Sequence, residues 1–172
     1  DETMLLAADS EATDEFGLKH PHVKLNRVEG YALAWGSAGN PTIGDYEFAK
    51  WVKKYDWKGK SWDEAAKAAQ EELARLNGEQ RRLTELSRTP MQNTFLCDII
   101  IGGWLDGPNM FALSNDGRLT PIWESQDEVR AVGSCAPYAI ASYNTLKLGG
   151  VEWPENILKM MDAAQRGFVE EP

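Results

Sequence analysis

Histidine and cysteine are scarce in this chain of 172 residues, with two of each. Cys97 and Cys135 stand in apolar settings and belong to no C-x-x-C pair or Cys/His ligand cluster, which fits a reducing compartment. His20 and His22 flank one proline without a third ligand in view, and read as loop polar groups before they read as a metal site. No apolar run approaches the ~20 residues of a membrane-spanning helix. No basic stretch followed by an apolar one opens the chain, so the expectation is a soluble, cytoplasmic protein. Bases are also short: 18 Lys and Arg against 27 Asp and Glu leave a net charge of −9. The first fifteen positions hold Asp1, Glu2, Asp9, Glu11, Asp14 and Glu15 and no base. A binder of phosphate backbones carries the opposite sign, which argues against nucleic acid as a partner.

What is present is the material of a globular core. Hydrophobic residues make up 42% and charged residues 26%, with seven Trp, too apolar and aromatic for a disordered chain. The length suits one domain over 1–172. Thr3–Ala8, His22–Val28 and Tyr31–Trp35 are strand-like. From Thr42, with Asp45 three residues on as a candidate cap, Phe48, Trp51, Val52 and Tyr55 recur at helical spacing. Ser61-Trp-Asp-Glu64 is a capping box for a second helix, expected to end at Asn77-Gly78. Glu79–Gln92 fits either a short helix or an ordered loop. A second strand block follows over Phe95–Ile101, Met110–Leu113, Leu119–Trp123 and Val129–Val132, with a hairpin signal at Ser114-Asn-Asp-Gly117. A third helix is expected from Ala136 to Gly149 and a fourth after Trp153-Pro-Glu155. Strands in two blocks and helices in two pairs predict an α+β fold, a four-layer αββα sandwich of two antiparallel sheets.

Four segments, taken in order, resemble the proteasome-type N-terminal nucleophile hydrolases, meaning the β subunits of the 20S proteasome and the two-component protease HslV. They are Leu5-Leu-Ala-Ala-Asp9-Ser-Glu-Ala-Thr13; His22-Val-Lys24-Leu-Asn-Arg-Val28; Ser37-Ala-Gly39 with Asp45, where this chain carries a slightly longer insert; and Ile100-Ile-Gly-Gly-Trp-Leu-Asp-Gly-Pro108 followed by Val132-Gly-Ser134-Cys-Ala-Pro-Tyr138. The resemblance implies a threonine-type endopeptidase in which an exposed N-terminal Thr supplies both the nucleophile and, through its amine, the base. By position, Lys24 is then the ammonium that stabilises the alkoxide and Asp9 the carboxylate that orients it. Gly39, with Gly36 as the alternative, is the backbone oxyanion donor, and Ser134 relays the proton. The family's Thr lies one strand and one turn before Asp9, which places the nucleophile upstream of Asp1, with the first strand and a C-terminal strand outside this chain; Thr3 belongs to the strand running into Asp9 and cannot replace it.

The resemblance further implies self-association into a ring or double ring, polypeptide substrates, an ATPase unfoldase partner, and no metal or organic cofactor. Two departures from the family pattern, Glu11 in place of Arg and Gly167 in place of an acid, motivate one alternative, a non-catalytic scaffold or binding subunit; another is an amidohydrolase of the same fold with an N-terminal Ser or Cys acting on non-peptide amides. Residue by residue, blander readings stand beside these. Asp9 is by composition a turn residue, Lys24 a solvated charge, and Ser134 and Cys135 helix caps. Asp98 interrupts an apolar strand with no assigned role, and Trp51, Trp57 and Trp62 read as core before they read as an interaction surface.

Overall fold

A computed structural model describes residues 6–8, 11–13, 19–87, 96–114, 119–121, 131–133, 136–152, 155 and 157–162. Strands β1 (Glu11–Thr13) and β2 (Lys19–Pro21) pair as an antiparallel ribbon. A second, five-stranded antiparallel sheet has the order β3 (Leu25–Arg27), β4 (Leu33–Gly39), β5 (Cys97–Trp104), β6 (Pro108–Leu113) and β7 (Leu119–Pro121). Its register places Trp35 opposite Ile101 and Ile101 opposite Phe111. Because side chains alternate across a strand, Leu33, Trp35, Ile99, Ile101, Phe111 and Leu113 all face one way.

Helices cover that face. A π-helical turn, Thr42–Phe48, runs directly into α1 (Ala49–Lys54), and α2 (Trp62–Leu86) follows. Ala65, Ala66, Ala69, Leu73 and Leu76 form the apolar stripe of α2 and join Phe48, Val52, Trp57 and Trp62 in one buried cluster with the sheet residues. Small alanines in the middle of the stripe let α2 lie close on the strands, while the aromatics of the first helical segment fill the wider gap. Rings stack in sequence, Trp35 on Phe48, Phe48 on Trp51 and Trp51 on Tyr55, with centroids 5.8, 5.0 and 4.9 Å apart. The buried indoles find carbonyl acceptors, Trp57 at Val52 and Trp62 at Gly107, as a desolvated N–H requires. Trp57 and Trp62 are therefore core, and Trp51 packs partly buried against it. The opposite face of the sheet, with Ala34, Ala38, Asp98 and Ile100, is half-buried. Helix α3 (Ala136–Leu148) forms a separate cluster in which Ala139 and Tyr143 meet Met160 of the helical stretch 157–162.

Several element boundaries differ from the sequence expectation. Residues 6–8 of the Thr3–Ala8 run lie outside any strand, and β1 comes three residues later. The His22–Val28 strand shrinks to Leu25–Arg27, while β2 was not foreseen. Helix α2 does not stop at Asn77-Gly78 but continues to Leu86. Asn77 is turned into the core, where its side chain donates to the Cys97 carbonyl and accepts from the Cys97 N–H, so it anchors the helix instead of ending it. Arg75 bridges Glu72 and Glu79 across the glycine, which helps carry the helix through. Thr42 is not a cap: the Asn40 side chain accepts from the N–H groups of Thr42 and Ile43. At Ser61 the expected capping box is complete, Ser61 and Glu64 each bonding the other's backbone. Leu113 pairs with Leu119 as a hairpin requires, with positions 115–118 outside the described residues. Residues 131 and 132 of the Val129–Val132 run are not in a strand. The described residues fix a mixed α and β fold built on one large antiparallel sheet.

Candidate functional site

The C-terminal end of β4 gathers most of the chemistry-bearing groups that the structure describes. Asn40 N–H donates to Leu96 O just beyond the Gly39–Cys97 pair. That bond marks Gly39 and Cys97 as a pair whose own N–H groups point away from each other. The Gly39 N–H is therefore aimed to the β3 side of β4. There the β3–β4 register begins only at Leu25 opposite Gly36, so Gly39 extends three residues past the ladder. Gly36 takes the other parity: it lies opposite Ile100 in a pair that exchanges N–H bonds with β5. Of the two candidate oxyanion donors, Gly39 has its N–H outside the sheet and Gly36 does not. Position 39 also tolerates only glycine, since φ is +107° and a Cβ would sit 2.0 Å from the Leu96 carbonyl oxygen.

Lys24 is half-buried and immediately precedes β3. Its carbonyl oxygen lies 3.0 Å from where a Cβ at Gly36 would be, which fixes its backbone against β4. Ser134 and Asp9 lie outside the described residues, as does Cys135. The neighbour of Ser134 does not: Gly133 packs on Ala38, whose Cβ is 3.1 Å from the Cβ position of residue 133. Thus the segment leading to Ser134, the segment carrying Lys24 and the Gly39 N–H converge on the end of one strand.

Sequence reasoning missed the groups that hold this end together. Ser37 Oγ donates to Asp45 Oδ1 at 2.6 Å, and His22 Nε2 donates to Asp45 Oδ2 at 2.7 Å. An ionised carboxylate only accepts, so each of its oxygens holds one donor, and the His22 proton on this side sits on Nε2. His22 and Asp45 are partly shielded, 33% and 23% exposed. His22 thus serves a carboxylate, and among the described residues no cluster of three or more His, Cys, Asp or Glu is suited to a metal. Beneath the chain lies Cys97, fully buried, its thiol pushed up to about 12 by burial first and then by the charges of Asp98 and Asp45. Such a thiol is packing material and not a nucleophile at neutral pH. His22, Ser37 and Asp45 stand on three different segments, the approach to β3, β4 and the π-helical turn, so no periodicity within one element could have joined all three. Far away, an open cleft of about 450 Å³ lies between Tyr31, Trp104 and the loop before α2, at the opposite end of β4 from Gly39.

The overall fold has counterparts among solved structures. The chain is similar to Anbu (ancestral beta-subunit) from Yersinia bercovieri, at TM-score 0.68 and 17% identity over 92% of this chain and 69% of that one. It is similar to an Anbu variant from Hyphomicrobium sp. strain MC1, at TM-score 0.63 and 16% identity over 92% and 68%. A third is the helical assembly of the Anbu complex from Pseudomonas aeruginosa, at 0.58 and 15% over 92% and 69%. No protein-family model and no curated protein sequence matches the chain. These likenesses establish the fold, and they correct the resemblance to 20S proteasome β subunits and HslV: the matching structures are Anbu proteins, a distinct proteasome-like family. The motifs behind that resemblance are largely strand ends and turns, such as Gly39 and Gly102-Gly103, and features that specify a shared chain path do not discriminate among proteins that follow it. Among the described residues no helix is long and apolar enough to cross a membrane.

Proposed function

We propose that this protein is an Anbu-fold subunit that hydrolyses peptide bonds with an N-terminal nucleophile, of threonine type, inside a self-associated assembly. The observation that carries this is the meeting of three segments at one strand end: Lys24, the residue before Ser134, and the outward-facing Gly39 N–H. Attack by a hydroxyl on a peptide carbonyl places negative charge first on the nucleophile and then on the carbonyl oxygen. Lys24, oriented by Asp9, stabilises the first. The Gly39 N–H receives the second, and as a fixed dipole it needs no reorganisation during reaction. Ser134 passes the proton between the nucleophile's amine and the leaving group. The nucleophile belongs one strand and one turn before Asp9.

On the same reading one domain spans 1–172, and the half-buried face with Ala34 and Ile100 is covered by a second sheet, completing four layers. Self-association draws support from the helical assembly of the Pseudomonas aeruginosa Anbu complex. Assembly places the sites on an inner wall, where unfolded polypeptide delivered by an ATPase ring in the cytoplasm is cleaved.

The test uses the complete gene product. Intact mass and N-terminal sequencing identify the first residue, and fluorogenic peptides measure turnover with and without a peptide boronate. Lys24→Ala should lower kcat by about a hundredfold or more, and the boronate should abolish turnover. Unchanged turnover in Lys24→Ala sinks the assignment. A mature chain with an inert first residue and no turnover assigns the fold to assembly alone.

A further inference from the structure

The segment 22–24 approaches the end of β4 without belonging to the ladder, since the pairing of β3 with β4 starts at Leu25. Strand pairing therefore holds the gap between Lys24 and the Gly39 N–H from one side only, through Leu25 and Gly36. A single carboxylate spans it. Asp45 receives His22, two residues before Lys24, on one oxygen and Ser37, two residues before Gly39, on the other. We propose that the chain His22–Asp45–Ser37 is a clasp that sets the spacing between Lys24 and the Gly39 N–H, and that these three are positioning residues for the hydrolysis described above.

Three features make the carboxylate a fixed point. It projects from the π-helical turn, whose start is tied down by Asn40 through its side chain and its carbonyl, the latter accepting from the Gly44 N–H at 3.0 Å. The preceding residue, Gly44, lies flush on β4 and β5. A Cβ there would fall 2.5 Å from Ser37 Cβ, 2.6 Å from Ser37 Oγ and 2.9 Å from Cys97 Sγ, so any side chain at 44 would lift Asp45 off its partners. Partial burial, finally, reduces the competition of water for the two bonds, which are charge-assisted and short. Severing either leaves segment 22–24 held to the end of β4 less firmly, and Lys24, which serves the nucleophile's oxygen, drifts from the Gly39 N–H, which serves the carbonyl oxygen under attack. Small displacements of this sort are costly to catalysis because the oxyanion donor must sit ~3 Å from the developing charge.

The inference rests on the proposed hydrolase activity, so its test has a readout that does not need turnover. Amide hydrogen exchange is followed in the full-length chain for the wild type, His22→Ala, His22→Gln and Asp45→Asn. His22→Ala and Asp45→Asn should exchange about tenfold faster over 22–24 and 37–44, with α2 unchanged, while His22→Gln, which keeps an N–H donor, returns towards wild type. In the peptidase assay the first two should lower kcat about tenfold with KM within about twofold. Unaltered exchange overturns the clasp, and faster exchange with wild-type kcat overturns its positioning role. If Asp45→Asn fails to fold, His22→Ala decides alone. A wild type without turnover counts against the proposed activity, and the exchange data still decide the clasp.

Discussion

Replacing Asn77 by alanine tests how helix and sheet are joined. Asn77 is 2% exposed and exchanges two hydrogen bonds with the backbone of Cys97, 3.2 Å to its carbonyl and 3.1 Å from its N–H. It completes the first residue of β5 as a neighbouring strand would. Asn77→Ala orphans a donor and an acceptor in a region that water does not reach, at about 1–3 kcal/mol each, or about 2–6 kcal/mol together. At roughly 2–4 °C per kcal/mol for a chain of this size, the melting temperature should fall by at least about 4 °C. Urea denaturation should move its midpoint with little change in slope. Asn77→Asp separates the two bonds. It retains the acceptor for the Cys97 N–H and sets a second oxygen against the Cys97 carbonyl, an arrangement tolerable only when that carboxyl is protonated. Burial and the facing carbonyl raise its folded pKa above the unfolded ~3.9. Its favourable contribution is then complete below the unfolded value and lost as pH rises through the folded one. The stability gap between Asn77→Asp and wild type should therefore narrow from pH 7 to pH 5. A fall of less than about 2 °C for Asn77→Ala, or a gap for Asn77→Asp that does not change with pH, would refute the reasoning.

Two further predictions concern neighbours of that joint. Gly78 lies inside α2, exposed, with nothing within 4 Å of a Cβ placed on it. Gly78→Ala should stabilise the protein by about 0.5–1 kcal/mol in chemical denaturation, and a loss of stability would mean that the helix is broken there. The Cys97 thiol, pushed up to about 12 by burial and then by Asp98 and Asp45, should resist iodoacetamide at pH 8 in the folded protein and react on denaturation. Because its folded pKa is raised, the neutral thiol supports the fold fully below the unfolded pKa of ~8.5, and that support declines as pH climbs from there towards 12. Rapid native labelling of Cys97, read by mass spectrometry of its peptide, would contradict both statements.

Helices with strong local signals were legible in the sequence. Ser61 and Glu64 announce the start of α2, and the Ala and Leu positions after it give its buried face. Its end was misplaced because Asn-Gly is a stop signal only when the asparagine is free to cap, and Asn77 is engaged twenty residues away. Short strands fared worse: β1 and β2 are three residues each, too few for alternation to register, and they exist by pairing with each other. Within the candidate site, Lys24 and Gly39 could be named because they stand in ordered motifs, and the structure adds which way the Gly39 N–H points. The His22–Asp45–Ser37 chain was invisible, since three polar residues on three different segments acquire meaning only once the π-helical turn brings them together.

That turn also accounts for the extra length noticed between Ser37-Ala-Gly39 and Asp45. In an α-helix, residues three apart share a face, so Asp45 and Phe48 would compete for one direction. The wider winding of Thr42–Phe48 separates them, sending Asp45 to the polar strand end and Phe48 to Trp35 in the core. The wider winding thereby leaves the aromatic ladder of α1 in phase with the sheet. Each residue advances an α-helix by about 100°, so shortening this stretch by one would put either the acid or the ladder out of step. Length is thus a constraint on this segment in its own right, beside the identities of Gly44 and Asp45.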